Sequence, residues 1–409
     1  MKDNVSWIDF LKLRASYGQN GSRSVSAYAT NSTLSSWYTW LDDKSTLGFI
    51  PNNLPNRTLT WATVTKFDVG LDFSVLKNRL DGSIDVYTGK TTDMLVSRSV
   101  PYPSGYQSAS DNVGKVTNKG IEITLHSVNL DGNGSNTLRW ESDLTFDSNT
   151  NKIVSLFGKN YAGEETDDVA NATAYGFDSY YALMVGHPIA AAYDLKKLGI
   201  FQNEKEIKDY KNADGTLIQP DAKPGDIKFE DTNKDGKIDA NDRAYLGTQD
   251  PLFTVNFGNT FTWKNFSLYF SFRWMQGDDT HFLGYDPYAF TYHNGIQLKK
   301  YHAWMKEGDG NKYPKSNYGN SLDYQFWNDR SFLKLKDLSF SYNFDQKLVS
   351  KIGLQGLRLY FSGTDLFTIT NWSGLDPEDG GTLAAGSASG RFVRNGTYRT
   401  FTFGATITF

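Results

Sequence analysis

The sequence contains no cysteine, which excludes disulfide frameworks, thiolate metal sites and cysteine nucleophiles. It contains no apolar run near the length of about 18 residues that a membrane-crossing helix needs. Neither charge sign dominates. The 42 Lys and Arg against 46 Asp and Glu leave a net charge of −4, which gives no reason to expect nucleic-acid binding. The five histidines (His126, His187, His281, His293, His302) show no HExxH or clustered ligand spacing. A nucleophile elbow and a phosphate-cradling glycine loop are also missing. The acidic pairs Glu164-Glu165 and Asp167-Asp168 are adjacent, whereas a glycosidase needs two carboxyls set across a cleft. Nothing in this inventory argues for an enzyme. The start, "MKDNVSWIDFLKLRASYG", has no apolar stretch before a cleavage site. It leaves two readings open, a cytoplasmic chain or a fragment whose export signal lies upstream.

Aromatic residues, by contrast, are abundant, at 15% of the 409 residues. Few segments have helical periodicity, so an all-β chain is expected. The end of the sequence, "RTFTFGATITF", alternates Phe401, Phe403, Ala405, Ile407 and Phe409 with small polar residues. Such a period of two puts the apolar set on one face of a strand. The same alternation runs through Phe67, Val69, Leu71, Phe73 and Val75, and through Phe266, Leu268, Phe270, Phe272 and Trp274. In "SFLKLKDLSFSYNF" the parity switches between Leu335 and Leu338, which predicts a β-bulge. About twelve such runs are expected, at roughly 10–18, 64–75, 80–90, 119–128, 137–147, 177–185, 189–200, 252–263, 265–276, 330–344, 355–368 and 397–409.

The gaps between these runs alternate. Tight turns at 76–79, 129–136, 186–188, 264–265 and 345–354 are interleaved with connections of about 28 to 53 residues. A soluble sandwich has no reason to gather its long loops at one end, whereas an outer-membrane barrel has short turns on one side and long loops on the other. Mean hydropathy of −0.51 does not oppose this, because barrel strands dilute their lipid-facing residues with lumen-facing ones. Lys66, Asp68, Asp72, Glu122, Arg139, Glu141, Asp143, Arg273 and Arg358 then fall on the inward face. In a wide, wet lumen they are solvated; on the lipid side each lysine or arginine at mid-membrane would cost about 2–4 kcal/mol. Trp140, Trp263 and Trp274 share the lipid face and are expected in the interfacial girdle.

Several stretches resemble the SusC/RagA-type TonB-linked outer-membrane transporters. They include "FLKLRASYGQNG", "NRLDGSIDVYTGKTTDMLV", "NVGKVTNKGIEITL", "GDIKFEDTNKDGKIDANDRAYLG", "FLKLKDLSFSYNF", "LRLYFSGTDLFTITNWSGLDPE" and the terminal strand. They occur in family order over nearly the whole chain. The resemblance implies an antiparallel transmembrane β-barrel of about 22 strands, a plug domain and TonB-interacting segment, and a SusD-like lipoprotein that closes over the outer face. It also implies cargo that is mostly oligosaccharide, sometimes peptide. Residues 1–409 are expected to be the C-terminal part of such a barrel, about half of its strands, without plug, TonB segment or signal peptide. Such a piece has two open sheet edges and should aggregate by itself.

Two features suggest local sites. "DTNKDGKIDAND" places Asp231, Asn233, Asp235, the Lys237 carbonyl, Asp239 and Asp242 at the spacing of a calcium-binding loop around Gly236. Asp at the twelfth position, instead of bidentate Glu, implies altered coordination, and an Asp/Asn/Gly-rich turn is the other reading. The expected aromatic contacts for sugar cargo are Trp37, Tyr38, Trp40, Tyr285, Tyr288 and Trp372, whose flat rings suit sugar C–H faces. The alternative class of function is a secreted calcium-dependent carbohydrate-binding β-protein. It leaves the loop-length rhythm and the inward charges unexplained.

Overall fold

The computed structural model describes residues 6–22, 30–41, 43–51, 53–99, 102–106, 108–133, 138–156, 184–285, 302–310, 312–322, 324–372, 376–378 and 397–409. Ten antiparallel strands form a wall: β1 (Ile8–Ser22), β2 (Ala62–Val75), β3 (Leu80–Ser99), β4 (Ser108–Asp131), β5 (Leu138–Ser155), β6 (Phe253–Trp263), β7 (Phe266–Gln276), β8 (Phe332–Asn343), β9 (Gly356–Thr370) and β10 (Thr400–Thr408). Each pairs with the next in chain order, and Asn53–Leu54 adds a short parallel piece beside Ser108–Ala109, which makes the sheet eleven-stranded. The fold class is therefore the all-β antiparallel one expected. Among the described residues no helix is long and apolar enough to cross a membrane.

The register confirms the division of faces. One row runs Leu11, Phe73, Gly82, Leu125, Leu144, Phe257, Phe272, Leu335, Phe367 across the strands. The neighbouring row runs Lys12, Asp72, Ser83, Thr124, Thr145, Asn256, Arg273, Lys334, Thr368. Directly opposite residues share a face, so each alternating strand presents its apolar set on the side where its neighbour does. The expected bulge lies between Leu335 and Asp337. Lys336 is the extra residue against β7 and faces two residues of β9, one of them the left-handed Asp365 at φ 52°.

Three expectations need correction. The run at 189–200 is not a wall strand: Ala191–Leu195 pairs with Arg243–Thr248, and Lys197–Ile200 with Ile227–Phe229, in two small separate sheets. Ala191, Ala192 and Leu195 are fully buried, so this apolar run fills a loop-built core and β5 pairs directly with β6. The expected tight turn at 186–188 therefore lies within one long connection between β5 and β6. The run at 177–185 lies outside the described residues except for its last two, which are not strand.

The third correction concerns the long loop expected over 91–118. β3 continues to Ser99 and β4 begins at Ser108, so the connection is short. Those extensions were hidden because they hold few alternating apolar residues: Met94 and Val116 pack in a small cluster with Ile153 and Leu156, and the hydrogen-bond ladder continues without a repeating apolar face. The connection before β6 carries one short helix, Glu204–Asp209.

Glycines on the inward face let tyrosines lie flat against the wall. Tyr87 and Gly120 are direct cross-strand partners. A Cβ on Gly120 would come within 2.5 Å of the Tyr87 hydroxyl and 2.7 Å of the Ser148 carbonyl. Because one obstacle is backbone, the wall cannot simply move aside. Gly120→Ala is expected to cost about 1–3 kcal/mol through overpacking. The measurement is the temperature at which the folded band is lost in semi-native electrophoresis, which should fall; an unchanged temperature would show that Tyr87 swings away freely.

Candidate conduit wall and outer loops

The inward face is a surface of paired charges. Arg14 donates to Asp72 at 2.8 Å and to Asp85 at 2.9 Å. His126 Nδ1 lies 2.7 Å from Asp143, and Ser271 donates to Asp337 at 3.0 Å. Most of these side chains are half exposed, so each pair contributes only about 0–1 kcal/mol. Their collective effect is to keep this face of the sheet polar.

A tighter arrangement sits on the same face near the long-loop end. The Lys334 ammonium, 1% accessible, donates to both carboxyl oxygens of Asp376 at 3.0 and 3.1 Å and to Glu378 at 2.7 Å. Bulged Lys336 lies 2.9 Å from Asp365 and 3.5 Å from Glu378, and Arg273 is 3.3 Å from Glu378. Arg330 donates to the carbonyls of Pro377 and Glu378 at 2.9 and 3.0 Å. Four cations thus hold one three-residue segment against the wall. Burial pushes the Asp376 carboxyl upward. Hydrogen bonds from Thr397, the Glu378 amide and Lys334 outweigh that, holding it below the ordinary value. Glu378 is likewise lowered, by Lys334, Lys336 and Arg273 against its own burial. Sequence reading missed this clamp. The available signal was two lysines alternating with leucines in "FLKLK", since a wall lysine that is buried must find a counter-charge.

The long connections fold on one another at the outer end. Leu195, Ile200, Ile227 and Phe229 from the connection before β6 join Tyr313, Tyr324 and Phe326 from the one before β8 in a single core. Fully buried Asp194 ties the two together, accepting from the Gln325 amide at 2.7 Å and the Leu195 amide at 2.8 Å, with Arg243 at 3.4 Å. Burial pushes its carboxyl up to about 6 despite these partners.

The acidic loop emerges from this core. A left-handed Lys234 and a left-handed Gly236 (φ 60° and 87°) make its turn. Asp231 accepts from the amides of Asp235 and Gly236 at 3.2 and 2.9 Å, and Asn233 from that of Asp235 at 3.0 Å. Asp242 is buried and accepts from Thr232 and Asp239 at 2.9 and 2.8 Å, the latter half of a capping box. Lys237 reaches its ammonium to Asp239 at 2.7 Å and lies 3.8 Å from Asp235. Among the described residues no group of three or more His, Asp or Glu side chains is placed to hold a metal ion. The six expected positions share one loop; the Asp and Asn side chains accept from its backbone amides, and that of Lys237 pairs with Asp239.

The aromatic candidates do not form one site. Trp37, Tyr38 and Trp40 stand on a hairpin, Leu34–Leu41 with Lys44–Pro51, at 61%, 69% and 75% exposure. Strand alternation puts Tyr38 and Trp40 on one face and Trp37 on the other. Trp372 differs from the expected exposed loop ring: it is 2% exposed and packs under Gly284, so it belongs to the interior. Tyr285 ends a short strand paired at Trp327, and Tyr288 lies outside the described residues. The three girdle tryptophans do sit on the lipid side, with Trp140 stacked on Phe261 and Trp274 edge-on to Phe253.

Residues 4–271 match the family model described as TonB dependent receptor-like, beta-barrel. The chain belongs to that family. Among curated relatives it is similar to TonB-dependent receptor P3 of Formosa agariphila, 31% identical over 92% of this chain and 36% of the relative. It is also similar to TonB-dependent receptor SusC of Bacteroides thetaiotaomicron, 25% identical over 92% of this chain and 36% of that protein. Its fold matches the RagAB peptide importer in the open-open state with a TM-score of 0.73 at 21% identity, covering all of this chain and 41% of that one. The chain thus spans well under half the length of these relatives. Membership in the TonB-dependent receptor family makes this an outer-membrane protein, with the tight turns on the periplasmic side and the folded loops outside. It leaves no role for the secreted lectin reading.

Removing one partner of a buried ion pair costs about 3–5 kcal/mol. Lys334→Ala is therefore expected to free the segment at 376–378 for protease cleavage between Thr370 and Thr397, with the rest of the wall intact. Acid should do the same. Asp376 and Glu378 are held below their ordinary values of 3.8 and 4.5, so their contribution is complete above those values and lost as pH falls through the lower folded ones. Cleavage independent of both pH and the substitution would contradict the clamp.

Proposed function

We propose that the chain forms the rear half of the wall of a TonB-coupled importer of nutrients, with oligosaccharides as the leading cargo and peptides as the second. A SusD-like surface lipoprotein closes the outer mouth. Energy reaches the wall through TonB engaged by parts of the protein outside these residues, and the protein catalyses no reaction. The observation that carries this reading is the continuous charged and polar inward face on a ten-strand meander, open at the periplasmic turns and overlaid outside by folded loops. The exposed rings of Trp37, Tyr38 and Trp40 support sugar, since aromatic faces stack on pyranose C–H groups without needing fixed charges. The name of the RagAB peptide importer supports keeping peptides in view.

The test is uptake in the native bacterium with the gene deleted in frame. Loss of growth on an oligosaccharide too large for passive pores, with growth on its monosaccharide retained, is the expected result. Loss of peptide uptake alone moves the cargo to peptides; unaffected uptake of both classes removes the importer reading.

The calcium reading of the loop is proposed with its own test. Its support is the spacing of Asp231, Asn233, Asp235, Lys237, Asp239 and Asp242 and the left-handed turn they straddle. Because the Lys237 ammonium lies against Asp239, an entering ion must displace it. Millimolar calcium is expected to slow proteolysis within 230–243, and Asp235→Ala to abolish the effect. Equal cleavage rates with calcium and with chelator would leave the loop to its own hydrogen bonds.

A further inference from the structure

At the periplasmic rim the wall carries a polar site on the face that elsewhere meets lipid. A groove of about 790 Å³ opens there, lined by Trp7, Leu76, Lys77, Arg79, Leu80 and Val128 among others. Leu80 pairs with Val75 and Ser127, in the parity of Phe73 and Leu125, so the groove lies on the lipid side. The turn beneath it has three successive left-handed residues, Leu76, Lys77 and Asn78 (φ 57°, 60° and 57°). Hydrogen bonds fix this turn: the Leu76 amide to the Trp7 carbonyl at 2.8 Å, and the Asn78 amide to Asp9 at 2.8 Å.

Arg79 donates to the carbonyls of Val128 and Asn129. Lys77 is exposed and forms no ion pair among those found in the described residues. Below them a chain of polar side chains runs sideways across the same face. Ser127 donates to Asn129 at 3.2 Å, Asn129 to Ser142 at 2.7 Å, and Ser142 to Asn259 at 2.8 Å. Trp140 Nε1 also donates to Asn259, at 2.9 Å.

Uncharged polar groups facing hydrocarbon are costly unless bonded, and these are bonded to one another. Two cations and a tryptophan above an apolar floor, at the level where headgroups begin, make a different demand. They ask for an anion whose remainder is greasy. Two carboxylates stand near: Asp9, bound to the Asn78 amide, and Asp131, bound to the Asn133 amide at 3.1 Å. They cancel the net charge of the rim, which disfavours a polyanion and suits one phosphate carried beside one ammonium. We infer that this groove seats a zwitterionic glycerophospholipid of the periplasmic leaflet, its phosphate at Lys77 and Arg79 and one acyl chain over Leu76, Leu80 and Val128. The site anchors the wall at a fixed height in the membrane, on the side away from the cargo loops.

The test is native mass spectrometry of the protein extracted from outer membranes, delipidated in mild detergent and given back phosphatidylethanolamine. One retained lipid per protein is expected, and Lys77→Gln should weaken retention about fivefold, the effect of one cation near a lipid surface. Lys77 makes no backbone contact in the turn, so this variant keeps the fold; Arg79→Gln, which removes two carbonyl contacts, is the second variant. Diacylglycerol of the same chains should not be retained, and inorganic phosphate should not compete. Equal retention by wild type and Lys77→Gln would overturn the inference. So would retention of diacylglycerol equal to that of phospholipid, which reduces the groove to a greasy surface, or full competition by inorganic phosphate, which makes it a plain anion site.

Discussion

In a bilayer there is no water to satisfy a backbone amide, so every N–H and C=O at that depth must find its partner within the protein. Between its two outer edges the wall obeys this by pairing each strand with its immediate successor from β1 to β10. Everything else is subordinate to that ladder. Alternation of side chains follows from it, because a paired strand has two faces and the two solvents differ. The strand ends follow as well. Where the ribbon leaves the membrane on the outer side, β3 and β4 keep their hydrogen bonds and abandon apolar alternation.

Outside the membrane the ordinary hydrophobic effect returns. The two longest described connections bury Leu195, Ile227, Phe229, Tyr313 and Phe326 together, forming a small domain that neither connection could form alone. It is joined by a buried carboxylate, Asp194, whereas the segment at 376–378 is joined to the wall by buried and half-buried ion pairs. Both joints hold loops in place with charge. An apolar joint could slide, but a desolvated ion pair holds one geometry because any other leaves a charge unpaired.

The membrane-embedded part of this architecture was legible in the sequence because lipid imposes a strict period of two. Phe67 to Val75 and Phe266 to Trp274 could be assigned to faces residue by residue, and the parity change near Leu335 located a bulge. Legibility ended with the lipid. The 189–200 run is apolar for the sake of a loop core, and period alone does not say which neighbour an apolar strand will meet. The 91–99 and 108–118 stretches were read as loop because their few apolar residues, Met94 and Val116 among them, meet a small local cluster and form no repeating face. Of the candidate site residues, Trp37 and Trp40 are exposed on a hairpin. Trp372 was misjudged, since an aromatic ring reads the same in a sequence whether it is buried or bare. The clamp on Asp376 and Glu378 depends on contacts across more than forty positions, between Lys334 and Asp376, which no local pattern records.

The absence of cysteine permits a direct test of the two faces. Single cysteines placed in turn from Lys66 to Ser74 in whole cells or membranes would be challenged with a water-soluble maleimide and with a lipid-soluble one. The account predicts alternation: positions 66, 68 and 72 react with the aqueous reagent and 67, 69, 71 and 73 with the lipid-soluble one, while the buried positions 70 and 74 react with neither. Uniform aqueous reactivity along the strand, or protection of positions 66, 68 and 72 in place of the odd ones, would contradict a lipid-facing wall with a wet interior.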